Sequence, residues 1–154
     1  MLMLILILLR VLFIYLWMLK GRTGHPDLPL LRRYRYAHRG LYGGELPENS
    51  MAAFRNALEH GYGIEFDLHL LKDGNIGIMH DSSLKRMTGR DGILEDLTTE
   101  QLKDYHLNGT SQVIPTFSQV LELYSGKLPL IIELKSYHGN GDLLTETACR
   151  MLEH

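Results

Sequence analysis

Hydrophobic and polar positions follow no period over the first twenty residues and two clear periods from Tyr34 onward. "MLMLILILLRVLFIYLWMLK" carries only Arg10 and Lys20 as charged side chains, and the run predicts one apolar helix over 1–20. Gly21 to Arg33 contains Gly24, Pro26 and Pro29 without periodicity and reads as a linker, so a folded domain is expected over 34–154. There Tyr34 to His38 is a short β-like run. Ala53, Phe54, Ala57 and Leu58 share one face of a helix that Asn49 or Ser50 can cap and Gly61 can stop. "GIEFDLHLL", Gly63 to Leu71, reads as a strand. "LPLIIELK", Leu128 to Lys135, reads as another, too uniformly apolar in its middle to be half exposed. Thr98 with Gln101 and Thr116 with Gln119 have capping-box spacing and predict two helix starts between these strands. A last amphipathic helix begins near Asp142, with Leu144, Ala148, Met151 and Leu152 facing inward.

Strands alternating with helices predict an α/β fold with parallel strands. One junction breaks the rhythm, because "LLKDGNIGIMH" has no room for a crossover and Asp73-Gly74 is a two-residue hairpin signal. Pairing Lys72 with Asn75 sets Leu71 opposite Ile76, His69 opposite Ile78 and Asp67 opposite His80. Glu65 and Asp67, two apart on one strand, then project from the same face, with His80 across from them. A solvent-facing polar side of a hairpin would account for this segment alone. Glu133, inside "PLIIELK", weakens that account, since a carboxylate in an apolar strand needs a partner. Lys135, on the same face, offers an ion pair. Taken together, the three carboxylates Glu65, Asp67 and Glu133 suit a hard divalent cation, Mg²⁺ or Ca²⁺. His38, Arg39 and Lys135 also fall at strand ends. Two histidines, an arginine, a lysine and a cation suit phosphoryl chemistry, with cationic groups on phosphate oxygens and histidines moving protons. His69 shares the parity of Asp67 and is a candidate support for the cation ligands.

Composition narrows the function classes. A formal charge of −2 gives no electrostatic footprint for nucleic acid. The single cysteine, Cys149, can build neither a disulfide framework nor a thiolate cluster. As a helix, Met1 to Leu19 would reach roughly 28 Å, close to the ~30 Å of a bilayer core. The expectation is a single-pass N-terminal membrane anchor, and Lys20, Arg22, Arg32, Arg33 and Arg35 after it favour a cytoplasmic catalytic domain.

The ordered set "AHRG", "PENS", "IEFDLHLLKDGNIGIMHD", "IPTFSQVL" and "IIELK" resembles the glycerophosphodiester phosphodiesterase family of the phospholipase-C-like superfamily, over Tyr36 to Lys135. The resemblance implies a TIM-type (β/α)₈ barrel and metal-dependent hydrolysis of glycerophosphodiesters to an alcohol and glycerol 3-phosphate. It assigns metal ligation to Glu65, Asp67 and Glu133, acid/base work to His38 and His80, and phosphate contacts to Arg39 and Lys135. Ser50 and Leu71 stand where the family usually has threonine. Such a barrel takes ~250 residues, so residues 34–154 are expected to supply about three of its strands plus the hairpin, as an N-terminal part that is poorly stable and inactive alone. The alternatives are a non-enzymatic, membrane-anchored half-barrel that binds or assembles with another chain, and a lipid-directed phosphodiesterase.

Overall fold

The computed structural model describes residues 2–19 and 25–153. It divides into two compact units, Met1–Arg33 and Tyr34–His154. In the first, α1 (Leu2–Met18) is apolar around its whole circumference apart from Arg10. A single turn, α2 (Leu28–Leu31), carries Pro29 as its second residue, where the missing N–H costs nothing in a first turn. Of the expected linker, residues 25–27 and 32–33 flank α2 as irregular or turned backbone, and Gly21 to Gly24 lie outside the described residues, as do Met1 and Lys20. The transmembrane expectation is corrected here. Among the described residues no helix is long and apolar enough to cross a membrane. The seventeen residues of α1 reach about 25 Å, short of a ~30 Å hydrocarbon core.

The second unit is built on a four-stranded sheet. Its elements are β1 (Tyr36–His38), α3 (Met51–Glu59), β2 (Gly63–Leu70), β3 (Ile76–Ile78), α4 (Lys85–Thr88), α5 (Phe117–Tyr124), β4 (Leu130–Leu134) and α6 (Gly141–Leu152). Three 3-10 turns, Leu94–Asp96, Thr99–Asp104 and Leu107–Gly109, fill the stretch between α4 and α5. The start signals act as read. Ser50 accepts a hydrogen bond from the Ala53 amide, and both predicted capping boxes form. The box at Thr98 opens a 3-10 turn rather than an α-helix.

β2 is the central strand. β1 pairs with it in parallel at Tyr36↔Gly63 through His38↔Glu65, and β4 in parallel at Ile64↔Leu130 through Leu68↔Leu134. β3 pairs antiparallel at Leu68↔Ile78, His69↔Gly77 and Leu70↔Ile76. β4 overlaps the paired residues of both β1 and β3, so those two share the opposite edge of β2. Ile64, Phe66, Leu68 and Leu70 point into a core with Phe54, Phe117, Val120 and Leu144. Phe66 lies between Phe54 and Phe117, with ring centroids 5.7 and 6.0 Å away. The Tyr124 hydroxyl, held at the Phe54 and Tyr62 carbonyls, has its pKa raised by burial. A second cluster, with Leu71, Met79, Leu84, Leu94 and Leu102, sits under the 3-10 turns.

Two expectations are corrected by the sheet. The hairpin register is one residue out from the derived one. Only Gly74 of the turn has positive φ (+81°), whereas a two-residue Asp-Gly loop needs it at both central positions. The loop instead has three residues, closed by the Leu71 amide on the Asn75 carbonyl at 2.8 Å. The Asp73 carboxylate accepts the Asn75 and Thr99 amides at 3.2 and 2.8 Å, which ties the loop to the next turn. His80 lies past the end of β3, so strand pairing with Asp67 does not form. The second correction concerns β4. Ile131 and Leu134 are 44% and 39% exposed, because β4 pairs only with β2 among the described residues and its other edge is uncovered.

Candidate active site

Residues 38–40 leave β1 through two consecutive left-handed positions, Arg39 (φ +57°) and Gly40 (φ +81°). A Cβ at Gly40 would stand 3.0 Å from the Ala53 backbone and side chain and from the Phe54 ring, so this close approach to α3 requires glycine. The turn is held by the Arg39 amide, which donates to the Glu65 carbonyl at 2.8 Å and to Glu65 Oε2 at 3.2 Å. It folds the chain back so that the Asn49 amide donates to the Arg39 carbonyl at 2.9 Å. Asn49 is itself left-handed (φ +52°) and buried, and its Nδ2 donates to Asp67 Oδ2 at 2.9 Å. Left-handed non-glycine residues are uncommon, and two of them, Arg39 bonded to Glu65 and Asn49 bonded to Asp67, mark a place where backbone conformation serves a site.

Glu65 and Asp67 share the face of β2 opposite the core, and Glu133 comes beside Asp67 through the Asp67↔Glu133 pairing of β4. One oxygen from each of the three carboxylates lies within 4.8 Å of the others. Two ligands on one Mg²⁺ or Ca²⁺ are separated by at most twice a bond of 2.0–2.6 Å, about 4–5 Å. The all-oxygen donor set and its spacing therefore fit a hard divalent cation. Asp67 is buried, Glu65 is partly covered and Glu133 is exposed, which leaves an open side for water or a phosphate. Lys135 Nζ meets Glu133 Oε1 at 2.6 Å and Asp67 Oδ1 at 3.1 Å. Burial works to lower the Lys135 pKa, but its bonds to Glu133 and Asp67 prevail and raise it. The ion pair read from the sequence thus exists and extends to the buried aspartate.

Of the predicted histidines, His38 is close to this cluster, with Nε2 3.7 Å from Glu65 Oε2 and its ring largely exposed. His80 is held elsewhere: its Nδ1 lies 2.6 Å from Asp81 Oδ1. Arg86 Nε donates to Asp81 Oδ2 at 2.5 Å and its Nη2 to Glu48 Oε1 at 2.7 Å. Arg39 Nη1 donates to the same Glu48 oxygen at 3.0 Å. Burial would raise the Glu48 pKa, yet the Arg86 and Arg39 bonds outweigh it and lower it. The hydrogen bond from Arg86 chiefly lowers Asp81. His69, the candidate support for the carboxylate cluster, turns its Nδ1 to Glu95. It is fully buried with Nδ1 2.7 Å from Glu95 Oε1, an oxygen that also accepts the Ser82 hydroxyl at 2.8 Å.

Glu48, Asn49, Asp81, Arg86 and Glu95 are the site and support residues that the sequence reading missed. Glu48 and Asn49 lay inside "PENS", and Asp81 stood next to His80, but period-2 reasoning has no purchase on loops.

A family model described as the glycerophosphoryl diester phosphodiesterase family matches residues 38–152. The chain belongs to this family. The matched range takes in the Arg39 turn, the carboxylate cluster and the His80 segment. Among similar proteins, a glycerophosphodiester phosphodiesterase of Bacillus altitudinis is 37% identical over 107 residues, 65% of this chain and 43% of that protein. One from Caldanaerobacter subterraneus is 39% identical over 108 residues, 65% of this chain and 44% of that protein. Among solved structures, an Oleispira antarctica phosphodiesterase in complex with the product sn-glycerol-3-phosphate superposes with a TM-score of 0.71 at 29% identity. The match covers 79% of this chain and 52% of that one. A Thermotoga maritima glycerophosphodiester phosphodiesterase gives a TM-score of 0.59 at 33% identity, over 78% of this chain and 48% of that one. The chain thus shares the TIM-barrel-like fold of this family over a partial parallel sheet, and it spans less than half the length of the curated relatives it matches.

Proposed function

We propose that this site belongs to a metal-dependent phosphodiesterase that cleaves glycerophosphodiesters into an alcohol and glycerol 3-phosphate. The observation that carries the reading is the convergence of Glu65, Asp67 and Glu133 within 4.8 Å, beside His38, Arg39 and Lys135. Family membership and the product named for the Oleispira antarctica relative support the substrate class. A Mg²⁺ or Ca²⁺ ion on these carboxylates, when bound, supplies positive charge for the phosphate oxygens. Arg39 and Lys135 bring two further cations to the same phosphodiester, and Lys135 releases carboxylate oxygens as it turns to phosphate. His80 donates Nδ1–H to the Asp81 carboxylate, which leaves Nε2 free to take or give a proton. One of His38 and His80 deprotonates the nucleophile, a glycerol hydroxyl or water, and the other protonates the departing alcohol. With water as the nucleophile, a diester and a water become a monoester and an alcohol in one step; with the glycerol hydroxyl, the alcohol leaves with formation of a cyclic phosphodiester, which water then opens to the monoester. The test is glycerol 3-phosphate release by the full-length protein with and without EDTA, together with His80→Ala. Activity that survives both overturns the proposal.

The open edge of β4, with Ile131 and Leu134 exposed, favours a second reading of the same unit. In that reading the half-barrel reaches its working form only when further strands, in the same or another chain, cover that edge. Crosslinking and size-exclusion chromatography separate assembly from a working monomer. Attachment of the N-terminal unit to a membrane is a further part of the proposal. It is supported by the exposed apolar surface of α1 and the basic Arg32, Arg33 and Arg35 that follow. Carbonate extraction and protease protection of the expressed protein test it.

A further inference from the structure

We propose that Arg86, anchored by Glu48, is a positioning residue that fixes the imidazole of His80 and the guanidinium of Arg39 together; the inference rests on the phosphodiesterase reading above. The residues come from three separate segments. Glu48 lies in the loop from β1 to α3, His80 and Asp81 follow β3, and Arg86 is on α4. Arg86 uses different nitrogens for two carboxylates, Nε to Asp81 Oδ2 at 2.5 Å and Nη2 to Glu48 Oε1 at 2.7 Å. Each carboxylate has a second role. Asp81 Oδ1 faces His80 Nδ1 at 2.6 Å, and Glu48 Oε1 also takes Arg39 Nη1 at 3.0 Å. The connection therefore runs from the cation-ligand neighbour Arg39 through Glu48, Arg86 and Asp81 to His80.

This is more than a surface ion pair. The Glu48 side chain is 12% exposed, although Arg86 is 46% exposed. An ionised carboxylate only accepts, so with Asp81 oriented by Arg86 the neutral His80 ring must carry its proton on Nδ1. A planar guanidinium sets the direction of both of its partners, which an ammonium in the same place would not do. The Asp81 carboxylate kept below its ordinary pKa by Arg86 agrees with this geometry.

The test reads the tautomer first, which needs no turnover. In the full chain labelled with ¹⁵N-histidine, long-range ¹H–¹⁵N spectra of the neutral ring are expected to show His80 as the Nδ1–H tautomer. The signal is identified by its loss in His80→Gln. Arg86→Gln is expected to move that signal toward the Nε2–H form, Arg86→Lys to move it part of the way, and Glu48→Gln, through the freed Arg86, in the same direction. Glu48→Gln provides the same reading should Arg86→Gln not fold. A wild-type tautomer pattern in whichever of these variants folds overturns the proposal. In the second arm, Arg86→Lys and Arg86→Gln are expected to lower kcat/KM for a glycerophosphodiester about 10- to 100-fold. That is less than the ~10²–10⁴ carried by an acid/base group itself. An unchanged kcat/KM in an active enzyme also overturns it. Absence of hydrolysis in the wild type counts against the phosphodiesterase reading alone, because the tautomer result is decided independently.

Discussion

Asn49 gives the sharpest test of how the backbone around the site is held. It is 1% exposed, sits at φ +52° and donates Nδ2–H to Asp67 Oδ2 at 2.9 Å. Asn49→Ala removes a hydrogen bond to a charged group, worth about 1.5–3 kcal/mol. It also places alanine in the left-handed region, at about 1 kcal/mol more than asparagine, which tolerates it. One term opposes these. Among the described residues Asn49 Oδ1 is buried without a hydrogen-bond partner, and its removal returns about 1 kcal/mol. The expected net loss is about 1.5–3 kcal/mol. Asn49→Gly loses the same hydrogen bond without the backbone strain, so it should be milder than Asn49→Ala by about 1 kcal/mol. Urea unfolding of the full chain in mild detergent, followed by circular dichroism, measures both. A loss below 0.5 kcal/mol for Asn49→Ala, by the order-of-magnitude terms above, refutes the reasoning, and so does a glycine variant no better than the alanine one.

Two further outcomes follow from the same geometry. Gly40→Ala combines a φ of +81° with Cβ contacts at 3.0 Å on Ala53 and Phe54. It should cost about 2–3 kcal/mol and lower the Tm, whereas an unchanged Tm contradicts the close approach. Glu48 and Asp81 have folded pKa values below their ordinary 4.5 and 3.8, Glu48 against the pull of burial and Asp81 chiefly through Arg86. Their stabilisation is therefore complete above about pH 5 and lost as pH falls below the ordinary values and through the folded ones. Acid titration of Glu48→Gln should show a shallower loss of stability below about pH 4.5 than the wild type, and parallel curves would contradict the assigned ion pairs.

The parts of the site that lie on strands were legible from period 2. Glu65 and Asp67 had to share a face of β2, and Glu133 had to bring a carboxylate to an apolar strand. Ser50, Thr98 and Thr116 announced their helix starts through local hydrogen bonds, which depend on neighbours in sequence alone. The hairpin register was not legible, because Asp73-Gly74 satisfies both a two-residue loop and the three-residue loop that forms. In the loop that forms, Asp73 accepts the Thr99 amide, 26 residues away, a contact that no local pattern reveals. Likewise Arg86 and Glu48 are 38 residues apart, and no periodicity relates them. The exposure of Ile131 and Leu134 was hidden for a different reason. An apolar strand predicts neighbours on both sides, and only contacts between strands reveal which side has them.

The central claim is that Glu65, Asp67 and Glu133 form one cation site. Calorimetric titration of Mg²⁺ and of Ca²⁺ into the metal-stripped full chain tests it most directly. The account predicts saturable binding of one cation per chain, lost in the double variant Glu65→Gln, Asp67→Asn while the far-UV spectrum stays that of the folded protein. Unaltered binding in the folded double variant, or no binding of either cation to the wild-type chain, would contradict it.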